Sequence, residues 1–377
     1  MKKILEGSKA VAETVGLVKP VVIAAYPITP QTHIVEELAR MVANGKLKSK
    51  YLEVESEFSA LSACIGATAT GFRSFTSTSS QGLALMHELL FAGAGMRLPL
   101  VMIVANRALS SPINIWNDQQ DSISERDSGW VQIYVETVQE AVDSLLQAYK
   151  IAEEIFVPVM ICMDGFYLTH VIEPVDIPEQ NETNKFLPEY IPKFLYLNPK
   201  KPITQGGFAY PLPYMNSRKQ LSDSILDSIK TVKKTHDDFF KQFKRKYGDG
   251  LVEEYKNDRN VCIVAMGSVC GTIKEVVDKT KGVGLVRVRC FRPFPRDEIE
   301  KVLKNKKAVI VIDRDISLGN RGALLTEIRD SLYGLKQKPK IVNFIAGLGG
   351  VDISMEKIKK MIELSKNQED GDMEWLI

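Results

Sequence analysis

The sequence predicts an α/β protein built from two parallel-sheet units joined by an irregular segment. Short apolar runs alternate with helices of ten or more residues over 6–170, and the alternation returns over 260–377. The run 100–104 is apolar on both faces, which is typical of a parallel strand covered on both sides. A chain of 377 residues is long enough for two domains, each with its own core.

The hydrophobic periodicity of the first unit predicts its helices and strands in chain order. The predicted elements are helix 8–17, strand 21–26, helix 31–44, strand 51–54, helix 58–70, strand 73–77, helix 81–92, strand 99–105, helix 138–154 and strand 158–163. A long loop is expected from 106 to about 128. We therefore place a first domain at 1–173.

The middle segment, 174–257, has a different composition. Prolines recur through 174–218 with aromatic residues between them, which predicts an extended arm packed on another surface. Residues 219–246 form an amphipathic pattern that predicts a long helix with a basic, solvated end.

The second unit is placed at 258–377. Its predicted elements are strand 261–264, helix 270–279, and strands 284–289, 308–312 and 340–345. The acidic tail after Lys366 is expected to fray.

Bulk composition excludes several classes of function. The net charge is +2, from 49 basic and 47 acidic residues, so neither a nucleic-acid surface nor a membrane surface is predicted. The five cysteines include no CxxC pair, which argues against zinc or iron–sulfur ligation in this chain. Reduced thiols, with neither a signal peptide nor a membrane span in view, predict a cytoplasmic protein.

Polar residues follow three of the predicted strands. The loop Tyr26-Pro27-Ile28-Thr29-Pro30 follows the first strand, Glu57 opens a helix after the next, and Arg107 ends the strand 99–105. Open parallel sheets bind ligands at the carboxyl ends of their strands. A threonine, a carboxylate and a guanidinium at these positions predict a site.

Each of these residues also has a structural interpretation. Glu57 either complements a helix dipole and nothing more, or belongs to a site, since the small residues that follow it suit close approach of a flat ligand. Arg107 either pairs with the region of Asp121 or Asp127, or binds a carboxylate through two parallel hydrogen bonds. Thr29 is either a helix cap or a hydroxyl donor to a substrate oxygen.

Two further segments have unusual polarity for their positions. The hydroxyl-rich turn 76–82 enters a helix and either caps it or contributes to the site. The loop 114–121 is long, polar and carries Trp116, which is unusual for a passive connection.

Two tempting motifs are rejected. Gly248-Asp249-Gly250 follows a charged helix and lacks the later asparagine of a diphosphate–magnesium motif, so we interpret it as a turn. The run 347–350 lacks the third glycine of a dinucleotide loop. The four histidines are scattered along the chain and indicate no site.

Together these segments resemble the alpha subunit of archaeal-type pyruvate:ferredoxin oxidoreductases, within the 2-oxoacid:ferredoxin oxidoreductase family. The resemblance covers nearly the whole chain. It rests on the ordered segments 26–30, 55–60, 76–82, 105–109, 114–121, 164–170, 202–206, 291–295 and 347–352.

The resemblance implies a thiamine-diphosphate-binding domain of the pyrimidine type, followed by an α/β domain like the transketolase C-terminal domain. Glu57 would hydrogen-bond N1′ of the aminopyrimidine. The other implied cofactor contacts are Tyr26, Pro27, Ile28, Thr78, Ser79, Ser80 and Gln81. Substrate contacts would come from Thr29 and Arg107 and from Asn117 and Asp118 of a loop whose role is open.

The implied activity is oxidative decarboxylation of pyruvate with coenzyme A to acetyl-CoA, CO₂ and reduced ferredoxin. The family assigns magnesium and the [4Fe-4S] clusters to other subunits (beta, gamma and delta), and no metal ligand to this chain. Another 2-oxoacid, 2-oxoisovalerate or 2-oxoglutarate, is the alternative substrate. A non-catalytic scaffold subunit is the alternative of a different class.

Overall fold

The computed structural model describes residues 2–192 and 195–377, and these residues form two α/β units. The N-terminal part contains β1 (Lys2–Glu6), α1 (Gly7–Val18), β2 (Val22–Ala25), α2 (Thr32–Ala43), β3 (Lys50–Glu53), α3 (Glu57–Ala69), β4 (Ser74–Thr78), α4 (Ser80–Leu85), α5 (His87–Gly95), β5 (Val101–Asn106), α6 (Gln120–Ser124), β6 (Val131–Tyr134), α7 (Val138–Ile155), β7 (Val159–Asp164), β8 (Ile172–Asp176), α8 (Gln180–Phe186) and α9 (Pro211–Phe243). The C-terminal part contains β9 (Val252–Tyr255), β10 (Val261–Ala265), α10 (Val269–Lys279), β11 (Val283–Val288), β12 (Cys290–Arg292), α11 (Arg296–Leu303), β13 (Ala308–Asp313), α12 (Ala323–Leu332), β14 (Lys340–Ala346), a 3₁₀ turn (Leu348–Gly350), α13 (Met355–Asn367) and β15 (Met373–Leu376).

The first sheet has the strand order β12-β6-β7-β5-β4-β2-β3. All its pairs are parallel except β12 with β6, so the carboxyl ends of the other strands share one edge. Its central strands β5 and β7 are buried along their whole length, as their apolar sequences predict. The edge strand β12 comes from the C-terminal part of the chain and ties the two units together.

The second sheet has the order β15-β14-β13-β10-β11-β9, antiparallel at β9 and parallel elsewhere. The prediction that the acidic tail frays is wrong. β15 pairs with β14 from Asn343↔Met373 to Ala346↔Leu376, and Leu376 is buried. Main-chain hydrogen bonds and this apolar anchor hold the segment despite its charge.

Several predicted boundaries also need correction. Helix 81–92 is two helices, α4 and α5, which meet at Met86. Part of the supposed arm is regular, because β8 pairs with β1 and α8 starts with a reciprocal capping box between Glu179 and Glu182. α9 begins at Pro211 rather than 219, since proline is favoured in the first helical turn. The Gly248–Gly250 segment is a turn, as predicted, with the Asp249 carboxylate accepting the Leu251 and Val252 N–H groups.

A buried ionic cluster fixes the contact between the two units. Arg287 of β11 and Arg289 both donate to the Glu140 carboxylate of α7, at 2.7 Å, and all three residues are buried. Although burial opposes ionisation, these two arginines hold the pKa of Glu140 below its usual range. The cluster keeps the C-terminal unit in a defined place beside the first sheet.

Candidate active site at the carboxyl edge of the first sheet

The loops after β2 and β5 bring Thr29 and Arg107 together. Arg107 Nη1 donates to the main-chain oxygen of Thr29 at 3.0 Å, and Nε donates to the Asn114 oxygen at 2.8 Å. Arg107 is 6% exposed, and burial lowers the pKa of its guanidinium, whereas Thr29 is exposed. The alternative ion pair to Asp121 does not form through the side chain, because that carboxylate accepts the Arg107 main-chain N–H instead.

Glu57 is the first residue of α3 and is buried against the turn after β4. A Cβ atom on Gly82 would lie 2.5 Å from Glu57 Oε1 and 2.6 Å from Thr78 Oγ1, so only glycine leaves room for this carboxylate. Burial raises the pKa of Glu57, which favours its protonated form. The helix start is capped separately, since the Ser56 hydroxyl accepts the Ser59 N–H.

Of the predicted turn residues, Thr78 lies beside the Glu57 carboxylate, because a Cβ atom on Gly82 would contact both side chains. Thr78 and Ser79 are fully buried, and their hydroxyl oxygens have no hydrogen-bond partner among the described residues. Ser80 has a φ of 48°, which turns the chain sharply, and its N–H is held by Asp121 at 2.9 Å. The Gln81 amide reaches out to the Ser110 hydroxyl.

Asp121 organises the site, although the sequence pointed to it only as an ion-pair partner. Its Oδ2 accepts the N–H groups of Ser80 and Arg107, and its Oδ1 accepts those of the Asn106 side chain and Ser122. The residue is 2% exposed, and burial raises its pKa to about 7. One carboxylate therefore connects the turn after β4 to the loop after β5. An aspartate in a long polar loop was the only signal available in the sequence.

The loop 114–121 lies against the C-terminal unit. Asp118 Oδ2 accepts the Gly349 N–H at 3.0 Å, and the main-chain oxygen of Asn117 accepts the Gly350 N–H at 2.8 Å. Burial raises the pKa of Asp118. A Cβ atom on Gly350 would lie 2.4 Å from that of Trp116, which explains the glycine at this position of the rejected dinucleotide motif. The Asp118 carboxylate therefore accepts hydrogen bonds from main-chain N–H groups. The buried side-chain amide of Asn117, in contrast, has no hydrogen-bond partner among the described residues.

The other predicted residues, in the loop after β2, are more exposed than Glu57. Tyr26 is 39% exposed, Pro27 is exposed and Ile28 is half-buried. Gln31, which the sequence analysis missed, holds this loop because its Nε2 donates to the main-chain oxygen of Ser77 at 2.6 Å. The loop after β2 and the turn after β4 are therefore fixed relative to each other.

The residues present fit the aminopyrimidine half of thiamine diphosphate. A buried carboxyl whose pKa is raised by burial, and two buried hydroxyls with no hydrogen-bond partner among the described residues, suit a flat ring with polar nitrogens. Among the described residues, the one group of histidine and acidic side chains with metal-ligand spacing is Glu6, His33 and His170. In the described ranges no helix combines the length and the apolar character needed to cross a bilayer.

Comparison with known proteins gives one consistent result. A family model described as pyruvate flavodoxin/ferredoxin oxidoreductase, thiamine diphosphate-binding, matches residues 13–237, and one for pyruvate:ferredoxin oxidoreductase core domain II matches 260–358. The pyruvate synthase subunit PorA of Methanocaldococcus jannaschii is 54% identical, covering 99% of this chain and 97% of its own. The ketoisovalerate oxidoreductase subunit VorA of Pyrococcus abyssi is 42% identical, covering 100% and 97%.

A solved structure is similar in fold. The 2-oxoglutarate:ferredoxin oxidoreductase from Magnetococcus marinus matches with a TM-score of 0.72 at 19% identity, over 96% of this chain and 65% of that one. At that identity the match concerns the arrangement of the two α/β units alone.

Proposed function

The chain belongs to the pyruvate:ferredoxin oxidoreductase family, and on that premise we propose that it is the catalytic alpha subunit of a pyruvate synthase. The reaction is the oxidative decarboxylation of pyruvate with coenzyme A to acetyl-CoA and CO₂, with ferredoxin as the electron acceptor. The observation that carries the choice of pyruvate is the full-length identity of 54% to a pyruvate synthase subunit.

Arg107 and Thr29 are proposed to bind the oxoacid. The guanidinium donates hydrogen bonds to two main-chain carbonyls, which fix its plane. The side chain is buried, so few water molecules can reach it. A cation in such a place attracts a carboxylate more strongly than one in water. The Thr29 hydroxyl, on the exposed loop beside it, would donate to the carbonyl oxygen.

Glu57 is proposed to share a proton with N1′ of the aminopyrimidine. When bound, thiamine diphosphate supplies the nucleophilic carbon and the electron sink for decarboxylation. The contribution of this chain is the Glu57 carboxyl group, whose pKa is raised by burial, so that it gives up its proton less readily than an exposed carboxyl. Tyr26, Pro27 and Ile28, with the turn 78–81, would line the ring.

The rest of the cofactor arrangement is proposed to lie on other subunits. Residues 1–173 would be the pyrimidine-binding domain, 174–257 the segment that packs on partners, and 258–377 the second domain. Beta, gamma and delta subunits would hold magnesium, the diphosphate and the [4Fe-4S] clusters. A cytoplasmic location stays a prediction.

A 2-oxoisovalerate oxidoreductase is the second candidate, because a ketoisovalerate oxidoreductase subunit is 42% identical over the whole chain. The test is turnover by the complex assembled with its partner subunits, measured as kcat/KM for pyruvate and for 2-oxoisovalerate with ferredoxin reduction as readout. We expect pyruvate to be preferred by more than about tenfold, because a pocket discriminates a few methylenes by about 1–3 kcal/mol each. Preference for the branched acid would overturn the assignment to pyruvate, and no turnover of either would favour a scaffold role.

A further inference from the structure

Glu6, His33 and His170 form a compact group on the N-terminal unit, and we propose that they bind a divalent transition-metal ion of the zinc class. One ligand atom from each residue lies within 4.8 Å of the other two. His33 Nδ1 is 2.5 Å from Glu6 Oε1, and the two imidazole rings are 4.7 Å apart between centroids. The scattered histidines of the sequence thus include two that the fold brings together.

Glu6 and His170 are held together by the backbone. Glu6 ends β1 and lies opposite Ile172 of β8, and Gly7 N–H donates to the Val171 oxygen at 3.0 Å. A Cβ atom on Gly7 would lie 1.8 Å from the Leu168 oxygen, so the close approach of the two segments requires glycine. Ligands on such fixed elements lose little entropy when a metal binds.

His33 comes from a third element, the first turn of α2, and its side chain is 45% exposed while that of Glu6 is 15% exposed. A metal ion can therefore reach the group from solvent. Three protein ligands on one side and solvent on the other leave positions for water.

A neighbouring hydroxyl orients His170. Thr169 Oγ1 lies 2.7 Å from His170 Nδ1 and accepts the Phe166 N–H at 2.8 Å. Because a hydroxyl oxygen accepts two hydrogen bonds, it can accept Nδ1–H as well, which leaves the lone pair of Nε2 free. Partners of this kind fix the ring and tautomer of histidine ligands in metal sites. Phe166 also packs on the imidazole, with 4.8 Å between the ring centroids.

The donor set selects the class of metal. Two imidazole nitrogens and one carboxylate oxygen suit zinc and its neighbours, whereas magnesium and calcium prefer oxygen ligands. A histidine–glutamate pair elsewhere supplies the comparison. His87 Nδ1 lies 2.7 Å from Glu125 Oε2, but its ring neighbour is Phe91 rather than a second imidazole.

The test counts zinc in the assembled complex after equilibrium dialysis against Zn²⁺, with elemental analysis and zinc-edge X-ray absorption. We expect the wild-type complex and His87→Gln to retain about one zinc ion per alpha chain that His170→Gln lacks, with two imidazoles in the zinc shell. Equal zinc contents in wild type and His170→Gln would overturn the proposal, as would displacement of that zinc by equimolar Mg²⁺.

Glu6→Gln provides a second variant if His170→Gln fails to assemble, and it is judged by the same zinc count. Thr169→Val tests the orienting hydroxyl, and we expect it to weaken zinc binding by about 10- to 100-fold. Unchanged affinity in Thr169→Val together with a full zinc count in Glu6→Gln would refute the ligand assignment.

Discussion

Replacement of Glu57 by glutamine tests the central chemical claim, because it changes the proton and little else. Glutamine has nearly the same shape, so the packing against Gly82 and Thr78 is kept. The glutamine amide does not transfer a proton to a ring nitrogen, as a carboxyl group can. General acid–base groups contribute about 10²- to 10⁴-fold in rate. At about 1.4 kcal/mol per decade, we expect about 3–5 kcal/mol of lost transition-state stabilisation.

The substitution Glu57→Gln is expected to lower activity but not the stability of the fold. The folded-state pKa of Glu57 is raised above its unfolded value of 4.5 by burial. Between these two values the folded state retains a proton that the unfolded chain has lost, so wild-type stability falls as pH rises. Relative to Glu57→Gln, the wild type should therefore become less stable as pH rises through the folded pKa.

The assay compares pyruvate-dependent ferredoxin reduction and thermal unfolding of the assembled complex, with Glu55→Gln as the matched control. Glu55 is exposed, two residues away, and bonded to the Ser59 hydroxyl. We expect Glu57→Gln to lose activity with unfolding unchanged or improved, and Glu55→Gln to retain activity. Activity within about tenfold of wild type in Glu57→Gln would refute the reasoning, since no essential proton would pass through this residue.

Three other changes test the support of the site. Asp121→Asn places an NH₂ group against two N–H donors whichever way the amide points. We therefore expect the free energy of unfolding, measured by chemical denaturation, to fall by about 2–6 kcal/mol. The exposed control Asp127→Asn should show no such loss. Gly82→Ala should displace Glu57 and lower kcat, and the overpacking should lower the free energy of unfolding by about 1–3 kcal/mol. An unaffected kcat would show that the Glu57 carboxylate is not held beside Gly82. Arg107→Lys should raise the KM for pyruvate more than it lowers kcat, because lysine lacks the planar pair of donors; a KM at the wild-type value would exclude carboxylate binding.

The sequence predicted both parallel sheets because they depend on local patterns of apolar residues, whereas the roles of the site residues stay predictions. Thr29 and Arg107 each follow an apolar strand of one parallel sheet, and parallel strands end at a common edge, so the contact between Arg107 and the Thr29 carbonyl follows from topology. The extent of α9 and the pairing of β15 were missed, since tertiary contacts and a proline at the helix start decide them.

What the sequence could not supply is the set of contacts between distant segments. Asp121 and Gln31 act through hydrogen bonds to main-chain groups, which leave no pattern in composition or spacing. His33 of α2 and His170 before β8 are far apart in the sequence, and the fold brings their rings to 4.7 Å between centroids.

The position of Arg107 depends on the C-terminal unit through a short series of hydrogen bonds. Arg107 Nε donates to the Asn114 main-chain oxygen, and Asn114 Nδ2 donates to the Gly349 oxygen at 3.1 Å. Asp118 and the Gly349 N–H close the same contact from the other side. The proposed carboxylate-binding group of the first unit is therefore oriented by the second. This gives a physical reason for both units to occur in one chain: the second unit, although it supplies none of the proposed substrate contacts, sets the geometry on which those contacts depend.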